Sequence, residues 1–511
     1  MLFNSYPFLL LFLPFSLLAY HGLVRLGLPR LAVLALTILS LVFYAQWEPA
    51  HLPVLLLSIA GNLTVGRLLL ADRTLLGSRK ALLAIGVTAN LLALAWYKYA
   101  GFLLANLEPL LGGEIALDAG PLPIGISFFT FLQIAYLVDC HHRSGATTDW
   151  LRYAFFVTFF PHLIAGPLLH LREMVPQLDR DPRPRFHLNL AVGLCIFTIG
   201  LFKKVVIADT FAQPADALFD QVHATGMPPD LLSSWNAALS YTFQIYFDFS
   251  AYSDMAVGLS RMFGIRMPIN FASPYKATSI IDFWHRWHIT LSRFLRDYLY
   301  VPLGGGRHGR LMRYRNLLLV MLIGGLWHGA GWTFVAWGAI HGLLLAANHL
   351  WRDLAVPRLG FTLGIWPARF LTFGAVVFAW VPFRAGDFAT AERIWSGMLG
   401  LNGMVLPTRF AALTAWWPGA VAGPLAVPAD SLLLYAPLAL AACWFLPNTY
   451  EITRAAVPAI ATRGYPATWP RSWPRLLRWR PAPAWGVATA AALATCLLKL
   501  NDVSPFIYFQ F

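Results

Sequence analysis

A single histidine stands among glycines in the stretch GGLWHGAGW, residues 324–332, inside an apolar run long enough to reach across a lipid bilayer. Gly325 and Gly329 form a GxxxG pattern, which lets helices approach closely. Gly324, Ala330 and Gly331 clear further volume. Close packing explains the glycines but gives no reason for His328. An imidazole shielded from water stays uncharged, so it is the least costly ionisable ring to bury. An uncharged imidazole is also what a general base requires. His328 is therefore a candidate base, and its neighbour Trp327 a candidate orienting residue.

A second cluster is DFWHRWHITLSRFLRDYL, residues 282–299. His288 and Ser292 lie one helical turn apart, as do Asp282 and Arg286, and Arg293 and Asp297 are spaced to pair on another face. Arg286, Arg293 and Arg296 together offer a site for phosphate or another anion. His285 and His288 have a spacing that could ligate a metal, but two ligands are too few and no nearby Cys or Glu completes a set. No metal site is assigned. Trp284 and Trp287 read as interface anchors or packing.

The third cluster is SYTFQIYFDFSAYSDMAVGL, residues 240–259, where Gln244, Asp248 and Tyr252 recur every four residues and share a helix face. A buried carboxylate needs a cation or several donors. Two readings of Asp248 stand side by side. It pairs with an arginine of the 279–305 stretch and ties two elements together, or it orients a catalytic base.

The elements that hold these groups must be membrane helices. The chain has 511 residues, 58% hydrophobic and 12% charged, with mean hydropathy +0.59. A soluble protein carries about 25% charged residues and could not cover its surface with so few. The composition predicts one polytopic all-α membrane domain over residues 1–511. The net charge of +14 is explained by basic loops on the cytoplasmic side rather than by nucleic acid, which is excluded as a partner. The N-terminal run lacks a preceding positive charge and a clear cleavage site, so it reads as a retained first span. Four scattered cysteines read as buried free thiols.

A span needs about 20 mostly apolar residues, and about twelve stretches qualify. They lie near 6–24, 31–47, 50–70, 81–105, 121–140, 188–210, 231–258, 316–332, 333–350, 366–383, 430–447 and 484–500. Basic residues alternate along the early loops: Arg25 and Arg30, then none, then Arg67, Arg73, Arg79 and Lys80, then only acids. That alternation predicts an external N-terminus. Two apolar stretches, 153–170 and 279–305, have basic sequence on both sides, and the first also carries Pro161, Gly166 and Pro167. Both read as segments that enter from the cytoplasmic side without crossing; broken backbone at depth must be buried in protein. Residues 384–429 form a predicted external loop, and 454–483 a basic Pro/Trp-rich cytoplasmic segment suited to anionic lipid or to a plain linker.

Taken together, six blocks resemble the membrane-bound O-acyltransferase family, and within it the branch of the bacterial alginate O-acetyltransferase membrane subunit. They are PLPIGISFFTF (121–131), FFPHLIAGPL (159–168), FDFSAYSDMAVGLSRMFG (247–264), FWHRWHITLSRFLRDYLYVPLGG (283–305), GGLWHGAGWTFVAWGAIHG (324–342) and the terminal FIYFQF (506–511). They follow one another through most of the chain. Two positions depart from the family pattern: Ala251 stands in place of glycine, and His285 in place of a basic residue such as arginine.

The resemblance implies helices and re-entrant segments around a central tunnel in a bacterial inner membrane. It places the family's two functional histidines on His288 and His328, the latter as the catalytic position. It implies an acyl group, acetyl by likeness, loaded from a cytoplasmic thioester and passed to a hydroxyl on the far side. The donor would be acyl-CoA or a phosphopantetheinyl acyl carrier, a substrate rather than a resident cofactor. The acceptor would be an exported polysaccharide or a periplasmic acetyltransferase-type partner protein. Chemistry on the residues agrees: His328 takes the hydroxyl proton, His288 polarises the thioester carbonyl or positions a reactant, and Arg286, Arg293 and Arg296 attract the donor's phosphates. Asp248, Tyr252, Ser292 and Trp327 complete the candidate orienting set. The rival class is a transporter or flippase of glycan or lipid, since broken helices and midplane polar groups also serve transport.

Overall fold

The computed structural model describes all residues except 72–77, 112–119, 145–146, 361, 418, 426–429, 461–476, 501–503 and 510–511. Each of the twelve apolar stretches falls on a helix. Phe8–Arg25, Pro49–Leu70, Arg79–Leu110, Arg183–Thr225, Trp332–Arg358 and Ile365–Arg384 are long and apolar enough to cross a bilayer. Pro29–Ala45, Ser431–Phe445 and Pro483–Leu498 are shorter apolar helices. Ile126–His142, Leu231–Met262 and Arg310–His328 complete the twelve. All four cysteines are buried free thiols.

The Leu231–Met262 helix is the axis of the molecule. Asp230 caps its start by accepting from the N–H groups of Leu232 at 2.9 Å and Ser233 at 3.3 Å. From Ser233 onward almost every side chain is buried, so this helix has no solvent face or lipid face. The Phe186–Phe202 helix crosses it backbone to backbone. A Cβ at Gly258 would stand 2.6 Å from the Phe197 nitrogen, and one at Gly193 2.7 Å from the Gly258 oxygen. Only glycine permits that approach.

Both stretches with basic flanks are broken helices, the first buried in protein over 155–170 and the second in part. Trp150–Thr158 and Phe160–Leu163 are separated by Phe159, whose φ/ψ of −51°/109° ends the first helix just ahead of Pro161. Ile280–Trp284 and Ile289–Leu295 are separated around His288, which adopts the left-handed conformation at φ 43° and ψ 53°. The 279–305 segment thus holds two helices, the second continuing through Arg296–Tyr300. Thr290 Oγ1 accepts from the Leu168 N–H at 3.0 Å, joining the two broken stretches.

The apolar run 316–350 divides at Gly329–Gly331. The first helix stops at His328 because Gly329 and Gly331 are extended, and the next starts at Trp332. Within residues 384–429, Asp387 caps the Phe388–Met398 helix and two short strands, Met404–Pro407 and Ala420–Gly423, pair in parallel with Met404 opposite Ala420. Most of the basic Pro/Trp-rich segment lies outside the described residues; at its edges Ile460 bridges Pro268 and Trp479 donates to the Ile452 carbonyl at 2.9 Å.

Candidate active site

His328 is the last residue of its helix, where backbone carbonyls lack intrahelical partners. The Arg79–Leu110 helix supplies them. Lys98 Nζ donates to the Trp327 oxygen at 2.7 Å, the His328 oxygen at 3.1 Å and Ser127 Oγ at 3.3 Å. The Tyr99 hydroxyl donates to the Leu326 oxygen at 2.9 Å. A cation at a helix C-terminus is favoured by the helix dipole as well as by the bonds. The following helix packs tightly here: a Cβ at Gly325 would collide with the Phe334 carbonyl oxygen, and one at Gly338 with that of Met321. The GxxxG pattern is therefore a packing device that fixes the His328 backbone.

Aromatic rings hold the imidazole. Its centroid is 4.9 Å from Trp327, 5.2 Å from Trp337 and 5.2 Å from Phe383. Its Nδ1 lies 3.4 Å from the Tyr508 hydroxyl. His328, Trp327, Lys98, Ser127 and Tyr508 line a cavity of about 270 Å³, with exposed Trp47 and Leu122 also in its wall.

His288 lies behind this wall and is wholly enclosed, its ring centroid 6.4 Å from that of His328. Its Nδ1 is 3.0 Å from Asn270 Oδ1. The same oxygen accepts from the Thr290 backbone N–H at 3.3 Å, which can only donate, so the Asn270 atom at that position is oxygen. His288 Nδ1 therefore carries a hydrogen, and in the neutral ring Nε2 is a lone-pair nitrogen. That Nε2 is buried with no hydrogen-bond partner among the described residues. A neutral ring in this tautomer offers an acceptor there, which of the two expected roles suits positioning a reactant rather than polarising a carbonyl.

The C-terminal segment reaches the site as a strap. Lys204 sits at its anchor, pairing with Asp248 at 2.8 Å and Asp209 at 2.9 Å and donating to the Pro505 oxygen at 3.0 Å. Asp248 accepts from the Ile507 N–H at 3.0 Å, and the Ser504 hydroxyl donates to Asp209 at 2.7 Å. Tyr508 then emerges beside His328. The expected pairing of Asp248 with an arginine of the 279–305 stretch is replaced by this lysine, which the axis helix meets directly. Tyr252, on the same face as Asp248, packs its ring against Phe3 and Phe506, each centroid at 5.1 Å.

The predicted arginines separate. Arg293 and Arg296 line a second cavity of about 870 Å³ with Arg172, His142, His170 and Tyr298. Arg293 does not pair with Asp297; it makes a two-pronged pair with Glu173 at 2.6 and 2.8 Å, while Asp297 pairs with Arg296 at 2.8 Å. Arg286 lies apart, bound to Asp282 at 2.8 Å and the Ala272 oxygen at 3.3 Å, where it braces the turn before His288. Ser292 reaches the Trp287 oxygen at 3.5 Å rather than the His288 ring. His285 is exposed, so it and His288 share no site.

The two cavities touch opposite ends of one helix. Ile126, Ser127 and Phe128 line the first, and Val138, Asp139 and His142 the second. At 1.5 Å per residue the ends are about 24 Å apart. Between them Phe131 stacks on Phe294 at 4.3 Å and on Trp327 at 5.2 Å. The implied tunnel thus takes the form of two cavities divided by a wall of rings.

The family model for the membrane-bound O-acyltransferase family matches residues 125–378. The match runs from Gly125 in the first cavity through both histidines. A peptidoglycan O-acetyltransferase of Helicobacter pylori is 44% identical over 434 residues, covering 80% of this chain and 81% of its own. A probable alginate O-acetylase AlgI of Pseudomonas aeruginosa is 38% identical, with all of both chains covered.

The chain belongs to the membrane-bound O-acyltransferase family.

It is accordingly a multi-pass membrane O-acyltransferase. A teichoic acid D-alanyltransferase of Streptococcus thermophilus is a more distant relative, 27% identical over 49% of this chain and 61% of its own. Four side chains that build the candidate site, Lys98, Lys204, Asn270 and Tyr508, were not singled out in the sequence, the last appearing only within the FIYFQF block. Lys98, alone, and Lys204, next to Lys203, both stand in otherwise apolar sequence inside a span, and that cost was the available signal. Asn270 gave none, because its role depends on the fold bringing it to His288.

Proposed function

We propose that this enzyme moves an acetyl group from a cytoplasmic thioester to a hydroxyl on the opposite side of a bacterial inner membrane. The donor is acyl-CoA or a phosphopantetheinyl acyl carrier. Its phosphates dock in the larger cavity, where Arg172 and Arg296 supply charge, while Arg293 is engaged by Glu173 and serves the wall. A thioester at the end of a long thin arm can pass between rings that exclude its phosphates. The acceptor enters the smaller cavity, which the distribution of basic loops puts on the external side, together with the N-terminus. It is a hydroxyl of an exported polysaccharide or of a periplasmic partner that completes the transfer. Relatives named for acetylating alginate and peptidoglycan support acetyl and glycan as the classes.

In the reaction the acceptor oxygen bonds to the thioester carbonyl carbon as His328 takes its proton. The C–S bond then breaks and the thiolate leaves with a proton. The Lys98 ammonium beside the first cavity favours the negative charge that develops on the carbonyl oxygen. His288, enclosed behind the cavity wall, positions the rings of Trp327 and His328. The observation that carries this reading is His328 in the cavity wall with its backbone capped by Lys98 and its ring beside Tyr508.

The test is reconstitution in liposomes with a labelled acetyl thioester on one side and a soluble glycan on the other. Label appearing in ester linkage to an acceptor, dependent on the thioester, is the expected result. Movement of intact solute without ester formation would assign a transporter instead.

A further inference from the structure

A third cavity, of about 420 Å³, lies at the end of the axis helix and plays no part in the chemistry above. Four arginines line it: Arg180, Arg185, Arg261 and Arg266. Among the described residues none of the four has a carboxylate in ion-pair range. The one acid in the wall, Asp181, is held by Arg183 at 2.9 Å.

Arg261 is the decisive group. It is 2% exposed, and among the described residues one hydrogen bond is made by its five N–H donors, to the Ala456 oxygen at 3.4 Å. Among the described residues its Nε is buried without a partner, and so is the Oδ1 of Asn189 in the same wall. An unpaired guanidinium in such a position is costly unless an anion meets it. Like charges crowd the same space: burial, with Arg185 and Arg180 nearby, draws the Arg266 guanidinium below its ordinary range. The wall is rigid, since Gln177 clamps Arg266 by accepting from its N–H and donating to its oxygen, both at 2.9 Å. Gln177 also donates to the Glu173 oxygen at 2.8 Å, so a single turn separates this cavity from the donor cavity.

We propose that this cavity is a phosphate-binding site separate from the acetyl-transfer site. Guanidinium groups from three segments converge on it, a planar fork geometry suited to phosphate oxygens. The phosphate belongs either to an anionic lipid headgroup, which the basic loops would hold at the cytoplasmic surface, or to a soluble phosphate compound.

The experiment uses the full-length protein in detergent at constant ionic strength. Thermal unfolding is followed while titrating dihexanoyl phosphatidylglycerol, inorganic phosphate or, as a neutral reference, dihexanoyl phosphatidylcholine. Saturable stabilisation by phosphatidylglycerol or by phosphate is expected, and whichever acts at the lower concentration names the source. In the double variant Arg185→Gln/Arg266→Gln, whose positions lie on exposed or half-buried turns, affinity falls by about tenfold or more. Arg261→Gln does the same if it folds. Donor KM and kcat stay unchanged in the double variant. The proposal is overturned if neither anion saturates, if the double variant binds as well as the parent, or if donor KM rises, which would assign these arginines to the donor.

Discussion

Asn270 Oδ1 lies 3.0 Å from His288 Nδ1 and fixes which nitrogen of that ring carries hydrogen. The consequence is chemical, because the remaining nitrogen is left as an acceptor in a ring that lies 6.3 Å from Trp327 and 6.4 Å from His328. Asn270→Ala removes the constraint and frees the ring to adopt either tautomer. We expect kcat to fall by about tenfold or more with donor KM little changed. Asn270→Asp keeps an acceptor for the Nδ1 hydrogen and should recover part of the rate. Steady-state kinetics on the three proteins checks this; equal loss in both variants would mean that Asn270 serves the fold alone.

Tyr508 reaches His328 from the far end of the chain. Tyr508→Phe keeps the ring, including its 4.0 Å packing on Phe249, and deletes the hydroxyl. The expected result is a drop in kcat of about tenfold or more without loss of thermal stability. An unaltered kcat would show that the strap positions nothing in the reaction.

Lys204 balances two carboxylates, whereas Asp248 is one of two partners of a single lysine. Removing the cation strands more charge than removing either acid. Lys204→Met should destabilise the protein by about 3–5 kcal/mol. Asp248→Asn should cost less, since Asp209 still holds Lys204. Denaturation of both variants in one detergent gives the order, and a reversed order contradicts the anchor described for the strap.

The two arginines of the donor cavity have different work. Arg296 is half-exposed beside Asp297, while Arg293 is locked to Glu173. Arg296→Gln should raise donor KM several-fold, about 1 kcal/mol of binding, and leave folding intact. Arg293→Gln should lower thermal stability because the Glu173 carboxylate loses its partner. Donor titrations with matched melting curves separate the two effects.

Much of this arrangement was legible in the residues, for identifiable reasons. Apolar length gave the spans, because a bilayer imposes one thickness on every crossing helix. Basic flanks with Pro161 and Gly166 gave the broken stretch at 153–170, and the glycines around His328 gave the candidate base. Long-range pairings were not legible. Spacing rules join Arg293 to Asp297, but the fold brings Glu173 closer; the need of a buried carboxylate for a cation pointed Asp248 to an arginine of the 279–305 stretch, but the helix crossing at Gly193 and Gly258 brings Lys204. The break at His288 was hidden too, since the left-handed residue there is not a glycine.

The most direct measurement is acetyl transfer by purified His328→Ala, with melting temperature and the Lys98-capped helix verified intact. Loss of a general base predicts a kcat lower by about 10²–10⁴-fold with donor binding retained. A folded variant that turns over at the parent rate would contradict the account.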